Sequence, residues 1–199
     1  DPLTLAGVRL LVLLERLDAL KRIRFLRLHS RMPVVNPFRI TDELAAALGR
    51  LTTPTLLVTH ANHGREITPA FRAATGRLRR NGVLNQTVLL AGLNDDADVQ
   101  RTLILALMDA RVRPYALHHA DLVPGTAHRR TSVDTGRRVV AALRGTVPGW
   151  ALPRYLLDVP GGHGKVPLEP EWVRGPEDGR LEIQAPDGTQ VVYDGRGPG

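Results

Sequence analysis

Hydrophobic and polar positions along this chain alternate between two periods. From Leu3 to Leu20 (LTLAGVRLLVLLERLDAL) apolar residues recur every three or four positions without an internal proline, which predicts a helix over 3–20. Residues 22–28 (RIRFLRL) alternate polar and apolar and predict a strand. Thr41 is suited to cap a helix running to Leu48 or Leu51, and Thr68, followed by Pro69 at the first helical position, caps another that ends near Asn81-Gly82. Between them TLLVT, 55–59, reads as a short strand ending at His60. Strand, helix and strand follow over 85–91, 95–110 and 111–118, then a helix over 132–144 and the short strand PRYLLDV at 153–159. Two alternating runs around Pro186-Asp187-Gly188 predict a β-hairpin over 181–195, and the Gly/Pro-rich last five residues predict no regular structure.

Strands separated by helices build parallel sheets with right-handed crossovers, so the fold class is α/β, as a (β/α) barrel or a doubly wound sheet. Polar residues gather just after the strands: His29, Ser30 and Arg31; His60, Asn62 and His63; Asn94, Asp95 and Asp96; His118, His119 and Asp121. In α/β architectures the carboxyl ends of strands are where sites are built, which favours a site over a bare scaffold.

Composition narrows the chemistry. The 199 residues are 43% hydrophobic and 24% charged, enough to bury a core. No cysteine occurs, which excludes disulfides, thiolate zinc sites, cysteine nucleophiles and cysteine-ligated clusters held by this chain. No apolar run approaches the roughly 20 residues needed to cross a bilayer, and DPLTLAGVRL lacks the pattern of a signal peptide, so the expectation is a cytoplasmic protein with no membrane partner. The net charge of +7 is mostly arginine, with few aromatics to stack on bases; a solvated arginine-rich surface is expected, and nucleic acid is not an expected partner.

Three constellations could carry chemistry. In DVPGGHGK, Asp158 to Lys165, three glycines in four positions precede a lysine. A phosphate loop would need glycine at 159 and a hydroxyl at 166, where Val159 and Val166 stand. What remains is a lysine on a close-packed loop, suited to a Schiff base with an aldehyde cofactor, or an ordinary glycine turn. His60 and His63 have a spacing compatible with two metal ligands, but no third ligand is indicated, and hydrogen-bonding histidines at a strand end are the plainer reading. Asp121 and Asp158 could bind a cation together at the mouth of one barrel, or each could cap its own turn.

Five ordered motifs, SRMPVVNPFRIT (30–41), THANHGREIT (59–68), NQTVLLAGLNDD (85–96), RVRPYALHHADLVPGTAH (111–128) and LRGTVPGWALPRYLLDVPGGHGKVPL (143–168), resemble the lysine 2,3-aminomutase family of radical S-adenosylmethionine enzymes. The resemblance implies a partial (β/α) barrel of the radical S-adenosylmethionine type, N-terminally truncated, over residues 1–128, and a C-terminal extension over 129–199 with the cofactor-lysine loop and a β-hairpin. It implies that Lys165 attaches pyridoxal phosphate, that Asp121 and Asp158 hold the side-chain ammonium of substrate L-lysine, and that His60 and Gln86 line the S-adenosylmethionine pocket. The implied isomerase reaction interconverts L-lysine and β-lysine through a 5′-deoxyadenosyl radical and migration of the amino group.

The chain departs from the family in lacking the CxxxCxxC loop whose thiolates hold a [4Fe-4S] cluster, and it starts at Asp1-Pro2-Leu3, similar to the end of the family's GGDPL segment. The expectation is a C-terminal part that does not generate the radical alone, with S-adenosylmethionine and the cluster belonging to a full-length member. Smaller departures are His128-Arg129 in place of HF, and Gly64 and His163 where Pro and Gly are usual. Two other functions compete: an aminomutase for β-lysylation of elongation factor P, and a non-catalytic remnant that binds RNA or protein. A barrel without its first strands leaves an edge and apolar surface uncovered, so self-association into a homo-oligomer is expected.

Overall fold

The computed structural model describes residues 1–175 and 180–194. The tail expected to lack regular structure, 195–199, lies outside them.

Five strands run parallel in chain order: β1 (Leu26–Ser30), β2 (Thr55–His60), β3 (Val83–Leu89), β4 (Arg113–His119) and β5 (Arg154–Asp158). A sixth, β6 (Lys165–Pro167), pairs antiparallel with β5 and completes the sheet. Helices return the chain between strands: α1 (Gly7–Asp18) precedes β1, the short α2 (Met32–Val35) and α3 (Asp42–Arg50) follow it, and α4 (Pro69–Arg77), α5 (Ala97–Asp109) and α6 (Val133–Leu143) make the later crossovers. A separate antiparallel sheet holds β7 (Val173–Arg174), β8 (Arg180–Gln184) and β9 (Gln190–Asp194). The fold is therefore α/β, with a mixed, mainly parallel six-stranded sheet and a C-terminal antiparallel sheet.

Local chemistry explains the boundaries. Thr41 accepts from the Leu44 amide at 3.2 Å and Thr68 from the Phe71 amide at 3.1 Å, as their positions predict. The first helix is shorter than the apolar pattern: Pro2–Thr4 form a 3₁₀ turn capped by Asp1, and α1 begins only at Gly7. The fourth ends at Arg77, because residues 78–82 form a turn whose last residue, Gly82, takes φ +78°. β1 starts four residues later than 22–28, because the first partner across the sheet is Thr55, opposite Leu26. The hairpin falls where the turn signal puts it, joining β8 to β9.

The main core lies on the helix side of β1–β3. Leu10 and Leu14 of α1, Leu48 of α3, Phe71 and Ala74 of α4, and Leu103 and Leu107 of α5 pack with Leu28, Leu57 and Val83. A second cluster joins Leu89, Leu117, Val140 and Tyr155 beneath α6. β5, in the C-terminal part, pairs with β4, so the main sheet continues past residue 129. No helix among the described residues is long and apolar enough to cross a membrane.

Candidate active site

Alternation along each strand sorts side chains between core and cavity. On β1, Leu28 and Ser30 are buried while Arg27 and His29 turn the other way; on β3, Asn85 and Thr87 are buried while Gln86 and Val88 face out. The out-facing residues and the strand C-termini enclose a cavity of about 880 Å³. All five residues singled out above line it: His60 ends β2, Gln86 lies on β3, Asp121 follows β4, Asp158 ends β5 and Lys165 opens β6.

Lys165 is on a strand rather than in a loop. Gly161, Gly162 and Gly164 take φ of +87°, +80° and +89°, a left-handed run that turns the chain back so that Lys165 pairs with Asp158 across the ladder. The Val159 amide donates to the Gly164 carbonyl at 2.8 Å and closes the turn. Lys165 Nζ donates to Asp158 Oδ2. Both side chains are half-exposed, so the ion pair contributes no more than about 1 kcal/mol and its importance is positional.

Four imidazoles line the same cavity. Burial pushes His29, His60, His118 and His119 below the usual histidine value. Arg27 adds to the effect at His29 and Arg31 at His60, while Lys165 lowers both His29 and His118. One ammonium thus reaches histidines on β1 and on β4. At His118, Asp121 and Asp158 pull the other way. His60 Nε2 is buried without a hydrogen-bond partner among the described residues, an unmet polar atom on the cavity wall.

His60 and His63 do not act together. His63 caps a 3₁₀ turn, its Nδ1 accepting from the Arg65 amide at 3.1 Å while Glu66 accepts from the amides of Asn62 and His63. Among the described residues no group of three His, Asp or Glu side chains is placed to hold a metal ion.

The cluster after β3 is structural. Asn94, fully buried, accepts from the Leu90 amide and donates to the carbonyls of Asn62 and Val88, tying the ends of β2 and β3 together. Asp96 caps α5, and Asp95 accepts from the Gly92 amide. Periodicity alone does not reveal Tyr115 as a lining residue. A register shift opposite Asn85/Gln86 leaves it unpaired on β4, and it lines the cavity. Asp1 also lines it, its carboxylate accepting from the amides of Leu3 and Arg31.

A parallel sheet whose strand ends gather a lysine, two carboxylates and neutral histidines defines an α/β protein with a polar small-molecule site. The family model described as "Lysine-2,3-aminomutase" matches residues 140–194. The L-lysine 2,3-aminomutase of Methanococcus maripaludis is 43% identical over 195 residues, 97% of this chain and 45% of the relative. That of Escherichia coli is 43% identical over 171 residues, 85% and 50% respectively. A glutamate 2,3-aminomutase of Clostridioides difficile is 39% identical over 175 residues, 87% and 41%. The chain belongs to the lysine 2,3-aminomutase family, and it spans about half the length of the curated relatives it matches.

Proposed function

We propose that the cavity is the cofactor-lysine and substrate-cation portion of an aminomutase site that interconverts L-lysine and β-lysine, with the six-stranded sheet forming part of a partial (β/α) barrel. The observation that carries this reading is that Lys165, Asp158 and Asp121 line one cavity at the ends of adjacent strands.

The residues present fit pyridoxal phosphate. The group needs a primary amine beside a cavity, and the volume here is that of a small-molecule site. When bound, pyridoxal phosphate supplies the electron delocalisation that lets an amino group migrate. The chain's own part begins at Lys165 Nζ, which Asp158 Oδ2 holds in place and which must lose a proton to solvent before it can act as a nucleophile, leaving Asp158 ionised. Asp121 and Asp158 then offer negative charge to a cationic substrate end, which favours lysine over an acidic amino acid such as glutamate. The half-buried imidazole of His118, held below the usual histidine value, adds no competing positive charge beside them near neutrality. Val34, Val35 and Val123 supply apolar surface in the lining.

A [4Fe-4S] cluster does not fit this chain, which has no thiolate to hold it. No radical-generating step is assigned to it. His60 and Gln86 are the residues we assign to the side of the cavity that would meet S-adenosylmethionine.

The test is to incubate the purified chain with pyridoxal phosphate, reduce with borohydride and map the product by mass spectrometry. A reduced adduct on Lys165 in wild type and its loss in Lys165→Ala are expected. An adduct on Lys21 or the N-terminal amine, unchanged by Lys165→Ala, would sink the proposal.

A further inference from the structure

Behind the cavity wall, the ring of Tyr155 on β5 is fully buried and meets His119 on β4 edge to face, the centroids 6.0 Å apart at 68°. Tyr155 Oη and His119 Nδ1 are 2.7 Å apart. We propose that Tyr155 is a positioning residue that holds His119 as the neutral tautomer protonated at Nε2, so that the cavity wall presents one N–H donor to an oxygen atom of the bound ligand. That the ligand is an aminomutase cofactor or substrate rests on the function proposed above; the tautomer does not.

The assignment follows from counting hydrogens. If Nδ1 carried the proton and donated to Oη, the phenol hydrogen would need a second acceptor, and Tyr155 makes no other side-chain hydrogen bond among the described residues. A buried hydroxyl without an acceptor is costly, so the phenol donates and Nδ1 accepts. The proton then sits on Nε2, the ring nitrogen left to the cavity that His119 lines. Charge agrees with this. Burial pushes the Tyr155 phenol up to about 12, and burial followed by Arg130 pushes His119 down against the weaker pull of Asp121, so both partners stay neutral. The space for the bond is written into α6: a Cβ on Gly136 would lie 2.0 Å from Tyr155 Oη, so glycine at this position is what lets the hydroxyl pass the helix.

The experiment is a long-range ¹H–¹⁵N correlation spectrum of the ¹⁵N-labelled full chain without ligand, with His119 assigned among the seven histidines by the signal missing in His119→Gln. The Nε2-protonated pattern in wild type, and averaging between the two tautomers in Tyr155→Phe, are expected. An Nδ1-protonated His119 overturns the proposal, as does a Tyr155→Phe spectrum unchanged from wild type. If Tyr155→Phe does not fold, the wild-type spectrum alone decides between the tautomers. Failure of pyridoxal phosphate to attach would count against the aminomutase reading and leave this result intact.

Discussion

At the residue scale, buried and capping polar groups are mostly accounted for by named partners, and two of them make quantitative predictions. Asp18 accepts from the amides of Thr52 and Thr53 and from the Thr52 hydroxyl, and these bonds, those to Thr53 foremost, lower its carboxyl from 3.8 to about 2. A carboxylate whose folded value is depressed contributes stability above its unfolded value and loses it as pH falls through the folded one. The contribution is therefore present above about pH 4 and lost toward about pH 2. Thermal melts of wild type and Asp18→Asn should differ near neutrality and converge in that acid window. Asn94→Ala should cost about 3 kcal/mol, because the change strands the Leu90 amide and the carbonyls of Asn62 and Val88 at a fully buried position; urea denaturation would check it.

At the scale of elements, α6 and β5 are matched through one missing side chain. Gly136→Ala would gain about 1 kcal/mol of helix propensity and place a Cβ inside the van der Waals radius of the Tyr155 ring. Overpacking against a rigid, buried aromatic costs about 1–3 kcal/mol or more, so a net fall in Tm is expected, and an unchanged melt would show that α6 slides away freely. The cap of α4 is a milder case. Thr68→Ala removes the acceptor for the Phe71 amide and should lower stability by about 1 kcal/mol without moving the cavity residues. Capping residues were readable in sequence because the signal is local. The end of α4 was not, since a polar turn over 78–82 competes with continuation of the helix and only packing against α3 decides; there Asn81 Nδ2 donates to the Leu48 carbonyl.

Across the whole molecule, four histidines from three strands share one electrostatic fate. His29, His60, His118 and His119 all have values below 6.5, burial being the first cause in each. The unfolded chain therefore takes up protons before the folded one does, and stability is full above the unfolded value of about 6.5 and falls as pH drops below it. The urea midpoint should be lower at about pH 5.5 than at about pH 7.5, and replacing His60 and His118 together by Gln should reduce the difference, with His29 and His119 keeping the rest. A midpoint that rises on acidification would contradict the lowered values of these rings. Helix α1 also presents apolar surface away from the core: Val8 is 76% exposed, and Val12 and Leu13 are exposed with it.

What the sequence determined by itself was whatever depends on neighbours in the chain: the α/β alternation, the helix caps, the hairpin, and the glycine turn that delivers Lys165. It also marked the strand ends as the place for a site, because parallel strands must all finish at one edge. The tertiary structure alone decided which of the post-strand polar residues share that edge. Asn94 and Asp96 carry the same local signature as His118 and Asp121, yet the first two satisfy backbone groups and the last two face the cavity. Strand register made that choice, and also put Tyr115 into the cavity and Tyr155 behind it. Register is set by long-range pairing and by the volume available on each face of the sheet, and a pattern of period two cannot encode either.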